Sequence, residues 1–423
     1  MIKRLLLLIL AALLIQPINV ASENKSKQKV ITLESIQNDI LKNSDILILS
    51  YKWSSLHYQE EATEESLDDI TVPGLYLTPR LPTDFDYFLT FYPGYSEMSP
   101  EEQGQINEII MTKIQINSSM NQMIEIDNHQ AIAQRDAYLD QIDAQKKQLR
   151  NMLKELNTQL KVTSIQEEEA KAGAKLYIQT LYISLLSLKE QMKINGLELE
   201  ELNEELGRNE KLKEVGLVTE RSLLEISDRV SDAKRKQQKT IDQYELNLTH
   251  FLLDLNYDLE DTYKLEQIEM PIFEEVSQPT DKEITTMANG LFQLKMVDEN
   301  RKLAESQYNR SSGSSRKQAE YQLKMVKEQK KSLHKEMKKK IYAKYQAYKQ
   351  SYNDFTTMKE TYKSLQIEKE YIDKQYRLGL LPEYEKTMYE QYLEKYKVEL
   401  TMKEFELFIG KQEEIALEKG YIN

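Results

Sequence analysis

The sequence predicts a mainly α-helical chain, built from two copies of one unit of long antiparallel helical hairpins and interrupted by a small β-containing insertion. Three observations predict it. Helical pattern twice runs into Gly, Leu and one more apolar residue and then restarts at once, at Gly216-Leu217-Val218 and at Gly379-Leu380-Leu381, with Glu220 and Glu383 at one constant spacing beyond. Proline, which breaks helices, crowds one segment (Pro73, Pro79, Pro82, Pro93, Pro100) and marks another (Pro271, Pro279), while 101 to 270 holds none. Helical stretches of matching length recur in both halves: 284–309, 316–377 and 383–419 in the second, 120–145, 151–214 and 219–255 in the first. In each half the two short stretches together match the long one, roughly 93 Å at about 1.5 Å per residue. The unit is therefore one long helix beside two short ones stacked end to end.

Taken in order, residues 1–22 read as a secretory signal: Lys3 and Arg4 precede the apolar run Leu5 to Ile15, and Val20-Ala21-Ser22 offers small residues for cleavage. That run is too short to span a bilayer, and no other segment approaches 18 apolar residues. Residues 23–62 form an N-terminal helical segment, capped at Thr32 and bent at Asn43-Ser44-Asp45. Residues 63–100 change character. Ile70 to Leu77 and Asp84 to Tyr92 are aromatic and β-branched between Pro and Gly, and fit one β-hairpin. Residues 101–255 are the first helical repeat, 256–281 an acidic connector with a short strand near Tyr263 to Ile268 and a cap at Thr280 or Asp281, and 282–423 the second repeat. At the two junctions Gly216 and Gly379 stand where a residue must adopt left-handed φ and ψ, with Leu217 and Leu380 at the apolar position that follows. Thr219 caps one restarting helix, and Pro382 is pre-set for the first turn of the other.

Composition excludes several classes. Charged residues make up 30% of the chain, with only 12 Gly and 9 Pro, which suits long, partly solvated helices better than a globular enzyme. A net charge of −13 argues against nucleic acid as a partner. There is no Gly-rich phosphate loop and no H-E-x-x-H, and His57, His129, His250 and His334 have no metal-ligand spacing, so no catalytic, metal or cofactor site is expected. Without a single Cys, neither a disulfide nor a lipid-anchored thiol can form. Tyr342, Tyr345, Tyr348 and Tyr352 share one helical face and read as a packing stripe. Lys327 to Lys344 holds eight Lys against two Glu; this is either a solvated helix face or a surface attracted to anionic lipids or wall polymers.

The paired Gly-Leu junctions, the openings ITLESIQNDILKNSDIL and PTDKEITTMANGLFQL, the two-copy layout and the signal resemble the outer membrane factor family of efflux ducts, the TolC type. The resemblance covers nearly all of 31–419 except the insertion. It implies a homotrimer whose helices make a hollow α-barrel coiled coil, working with an adaptor and an ABC-type or other exporter. It further implies a membrane-associated, exported location in the cell envelope: outer membrane or periplasm in a diderm, extracytoplasmic surface in a monoderm. By resemblance, Gly216, Leu217, Gly379 and Leu380 dock the adaptor, and a Tyr before the Gly, an Arg after it and an acid beyond close the aperture. Tyr376 matches that Tyr, Glu383 and Glu385 supply acid, and Leu381 stands in place of the Arg, so the same ion pair cannot form.

One departure bears on the membrane. Each copy in that family carries a strand hairpin between its first short helix and its long helix, and a membrane strand needs about 9 to 11 residues. Here the second copy has only 310–315 at that place, so no membrane β-barrel is expected. Three functions follow in order: a trimeric export duct, an adaptor of the membrane-fusion type, or a non-transporting envelope coiled-coil scaffold. An adaptor needs lipoyl-like β-domains for which the chain has no room, and a scaffold would show sustained heptads.

Overall fold

A computed structural model describes residues 29–423; the expected signal at 1–22 lies outside the described residues. Among them are nine α-helices: α1 (Leu33–Asp39), α2 (Ser44–Asp68), α3 (Phe85–Leu89), α4 (Pro100–Glu214), α5 (Glu220–Asp254), α6 (Asp281–Gly290), α7 (Phe292–Arg310), α8 (Gly313–Arg377) and α9 (Glu383–Glu418). Two three-residue strands, β1 (Lys29–Ile31) and β2 (Tyr263–Leu265), pair in parallel, Val30 opposite Lys264. Residues 29–51 with 163–423 form one compact unit, and Lys52–Val162 form the other.

The larger unit shows the duplication at its caps. Thr32 and Thr280 each close a capping box, Thr32 with Ser35 and Thr280 with Glu283, so both copies start their first helix with the same device. Both copies then break and restart. Asn43 is extended before α2, and Leu291 is extended before α7. In the second copy α8 is the long member, lying along α7 on one side and α9 on the other. Its turn from α7 is short, and the Arg316 guanidinium lies 5.0 Å from the Tyr308 ring centroid across it. The closing helices of the copies, α5 and α9, are 35 and 36 residues long.

One expected boundary is absent. Residues 120–145 and 151–214 were expected as separate helices, but α4 runs unbroken from Pro100 to Glu214. The physical reason is local: residues 146–150, KKQLR, are strong helix formers with neither Gly nor Pro to end a turn. The counterpart of α7 is thus α2, which precedes the insertion, and the first copy's long helix is extended in step with that insertion.

A buried tyrosine holds the strand pair. The Tyr182 hydroxyl, on α4, shares its one proton between the Ile31 carbonyl at 3.0 Å and the Glu266 carbonyl at 2.6 Å, one at the end of each strand. Burial, reinforced by the Glu266 carboxylate, pushes its pKa up to about 12, so it stays a donor. Ile31, Ile36, Ile40, Phe251, Leu265, Phe405 and Phe408 pack around it in one core. A second core, with Ile284, Leu291, Met337, Ile341, Leu417 and Ile422, joins α6 to α8 and α9. Of the tyrosine stripe, Tyr345 packs on this second core, Tyr348 is buried with Phe355 and Leu407, Tyr352 packs on that cluster, and Tyr342 is exposed.

The lysine-rich stretch of α8 is met by acids on neighbouring helices: Lys330 by Asp298, Lys338 by Asp281 and Lys344 by Glu413. This favours the solvated, ion-paired reading over a lipid-binding one. Asp298 is the centre of this set. Lys330, then Arg301 at 3.0 Å, hold its carboxyl down at about 2 against an ordinary 3.8. A depressed carboxyl stabilises the fold fully above its unfolded value, so this contribution is present above about pH 4 and disappears as pH falls towards 2. The urea midpoint of the wild type should therefore drop more steeply between pH 5 and pH 2.5 than that of Asp298→Asn; parallel acid limbs would remove this pairing from the acid response.

The smaller unit corrects the expected β-hairpin. Residues 70–84 form neither helix nor strand, and Phe85–Leu89 is helical, capped by the Asp84 carboxylate on the Asp86 and Tyr87 amides. This arm pairs with side chains of α4. Asn128 donates to the Thr78 carbonyl and accepts from its amide, both at 2.9 Å. Asn121 does the same for Leu81 at 2.8 and 2.7 Å, and Asn117 donates to the Pro82 carbonyl at 2.7 Å. The asparagines lie on one helix face and offer the arm the donor and acceptor that a neighbouring strand would.

Candidate functional site

The two junctions are built alike. Gly216 has φ +77° and Gly379 φ +73°, and each ends its helix in a Schellman turn. The Leu217 amide donates to the Leu212 carbonyl and the Gly216 amide to the Lys213 carbonyl, both at 2.9 Å. Leu380 donates to Gln375 and Gly379 to Tyr376, again at 2.9 Å each. The restarts differ: the Thr219 hydroxyl accepts from the Ser222 amide at 3.2 Å, whereas Pro382 sits at the N-cap itself, one residue before the first turn, and offers no side-chain cap.

A Schellman turn commonly tucks its following apolar residue against the helix, yet Leu217 and Leu380 are both 73% exposed, as is Leu378. Val215 and Leu224 are exposed with them. Apolar side chains held out on rigid turns at two equivalent places form a surface available for contact.

Charge around the turns is arranged differently in the two copies. Across the first, Lys213 meets Glu220 at 3.5 Å. Across the second, the Lys386 ammonium lies 5.1 Å from the ring centroid of Tyr376, which is thereby engaged by a cation rather than by an acid. Glu385 accepts from the Tyr384 hydroxyl at 3.0 Å, which raises the Tyr384 pKa, and Glu383 stands beside it in the first turn of α9, where the helix dipole favours a carboxylate. The Arg208 guanidinium of α4 stacks 4.8 Å from the Tyr384 ring, and Lys395 of α9 pairs with Glu201 of α4. These contacts bring the two copies together within a few turns of both junctions. Behind them the Tyr389 hydroxyl shares its one proton between the Leu365 carbonyl at 2.9 Å and the Glu368 carboxylate at 3.0 Å; burial and that acid push its pKa up to about 12.

Sequence reasoning placed Gly216, Leu217, Gly379, Leu380, Tyr376, Glu383 and Glu385 at these turns but missed Arg208, Tyr384 and Lys386. Tyr384 carried one legible signal, its place directly between Glu383 and Glu385; Arg208 carried none, because its partner comes from the other repeat. Among the described residues no cluster of His, Asp and Glu is arranged to hold a metal ion, and no helix is long and apolar enough to cross a membrane.

No protein-family model and no curated protein matches the sequence. Solved structures do match its fold. One is CusC, from a study of the changes accompanying its folding and transmembrane channel formation, at a TM-score of 0.52 and 10% identity over 94% of this chain and 95% of that one. Another is the outer membrane protein VceC of Vibrio cholerae, at 0.50 and 10% identity over 92% and 97%. A third is the outer-membrane channel OprN, at 0.50 and 11% over 92% and 90%. The chain has the fold of these outer-membrane channel proteins, the TolC-type architecture that its sequence resembles.

Proposed function

We propose that the chain is the duct of an export system in the cell envelope: three copies enclose a helical tunnel, an adaptor docks on the exposed leucines of the Gly216 and Gly379 turns, and an ABC-type or other exporter drives the cargo. The duct performs no chemistry; it lowers the barrier to export by enclosing water. The observation that carries this reading is the pair of equivalent turns, each rigidly capped and each presenting apolar side chains to solvent, on a duplicated bundle with the fold of channel proteins. In this assembly Tyr376, Lys386, Glu383 and Glu385 stand near the narrow end. The inverted charge pairing at Tyr376 makes that aperture depend on Arg208, Tyr384 and Lys386 instead of a Tyr-Arg-acid lock.

Light scattering on the purified chain from residue 23 onward tests the assembly. A mass of three protomers is expected, with a water-filled lumen in projection images. A stable dimer or monomer would sink the duct and favour the envelope scaffold.

A further inference from the structure

A second site lies in the larger unit, away from the Gly216 and Gly379 turns, where α1 and the end of α9 meet α4. The side chains of Gln37, Lys175, Gln179, Gln412 and Lys419 line a cavity of about 110 Å³. Two helices build it with one spacing. On α4 the lining residues run from Ala172 to Gln179 and on α9 from Gln412 to Lys419, each time at i, i+3, i+4 and i+7, so each helix turns one Lys, one Gln and two apolar side chains to the same space. Gln37 of α1 closes the third side. None of the five polar side chains has a hydrogen-bond or ion-pair partner among the described residues. In a chain of net charge −13, two lysines thus line one cavity that no carboxylate shares. The acids beside Gln412 are committed elsewhere, Glu413 to Lys344 at 2.6 Å and Glu414 to Lys411 at 2.5 Å. Gln179 decides the reading. It is only 8% exposed, yet its amide meets no protein group. A primary amide brings two donors and an acceptor, and burying one without partners costs the fold its desolvation.

We propose that this cavity binds one small tetrahedral oxoanion of the phosphate class as a free ion. The two ammonium groups set the sign of the charge. Ammonium and amide donors arrive from three helices, hence from several directions at once, which suits oxygens arranged around a centre; a carboxylate offers both its oxygens to one side. The amide carbonyls accept in turn from the P–OH of hydrogen phosphate. The space holds several waters or one such ion. Leu176 and Ala416, both buried, give it an apolar floor, where charge attraction is stronger than in water, and Lys419 stands at the exposed rim by which an ion enters. A bound ion ties α1, where the first copy begins, to the end of α9, where the second copy ends. Binding therefore stabilises the folded chain.

The site is independent of the duct reading, which oligomer mass decides. Equilibrium dialysis of the purified protein against labelled inorganic phosphate, at fixed ionic strength, is expected to give one phosphate per chain with half-saturation at about 1 mM or below. Sulfate should compete and acetate should not. Lys175→Gln with Lys419→Gln should weaken binding by about tenfold or more, whereas Lys234→Gln with Lys239→Gln, the same charge change at exposed positions of α5, should leave it unchanged. Phosphate should raise the urea midpoint of the wild type and not that of the first pair. Gln179→Leu should also lose phosphate while helicity persists, with a midpoint in phosphate-free buffer no lower than the wild type's, because the amide it removes has no protein partner. Absence of saturable binding would show that water alone fills the cavity, and equal losses in the two lysine pairs that phosphate reads only the overall charge; either overturns the proposal. So would acetate competing as well as sulfate, vesicles of phosphatidylglycerol displacing the ion, or a lowered midpoint in Gln179→Leu.

Discussion

Gly420→Ala should lower the unfolding free energy by about 3 kcal/mol or more, while the same change at Gly216 or Gly379 costs about 1 to 2 kcal/mol. The three glycines end helices in the same Schellman turn; at Gly420 the Tyr421 amide reaches the Ala416 carbonyl at 2.9 Å, as Leu217 and Leu380 do at theirs. All three have positive φ, +94° at Gly420. What differs is the space around the missing Cβ. At Gly216 and Gly379 nothing lies within 4 Å, so only the left-handed strain is felt; at Gly420 the Cβ would stand 2.7 Å from the Gly290 carbonyl oxygen. That carbonyl is backbone at the α6–α7 break, and the Gly420 carbonyl itself accepts from the Phe292 amide at 2.8 Å. Neither side can yield without pulling Ile422 from the second core. Urea unfolding followed by helix signal measures the difference, and equal losses at all three glycines would refute the close approach.

That contrast shows what the sequence could and could not carry. The turns themselves were legible, since Gly followed by Leu after a long helical pattern has a local cause in the left-handed cap. The caps at Thr32 and Thr280 and the bend at Asn43 were legible for the same reason. The buried contact of Gly420 with Gly290 joins distant parts of the second repeat, and no local pattern announces it. The run 146–150 failed in the opposite sense. Its expected break came from matching lengths between repeats, whereas the local chemistry offered nothing to stop the helix.

The arm at 70–84 shows a third kind of limit. Its β-branched and aromatic residues read as strand because they favour extended backbone, but the segment joins no sheet. The partner was misassigned: asparagine side chains from α4 take the place of a second strand. The spacing of Asn117, Asn121 and Asn128 on one helix face was the available signal. At the candidate site, likewise, the residues of each turn were readable, but the stacking of Arg208 on Tyr384 and of Lys386 on Tyr376 depends on how the repeats and neighbouring turns pack.

If the chain works as the proposed duct, replacing both exposed leucines, Leu217→Asp with Leu380→Asp, is expected to abolish adaptor capture and export while oligomer mass and helicity remain. Each side chain is 73% exposed, so a carboxylate there stays in water and costs the fold little. An apolar contact with a partner loses both the buried area and the match of shape, about 1.5 to 3 kcal/mol for each leucine that would be fully covered. In the proposed trimer, two turns on each of three protomers would multiply that loss through avidity, so binding should fall by several orders of magnitude rather than tenfold. Gly216→Val or Gly379→Val should act the same way by distorting the turn, since a β-branched residue is forced into φ > 0 at a cost of about 1 to 2 kcal/mol, small beside the burial in the bundle. The measurement is capture of the purified adaptor by immobilised trimer, with circular dichroism and mass as controls. A scaffold without a docking role predicts a uniform small loss of stability and no selective defect. Variants that keep full adaptor binding would remove the turns from the docking surface.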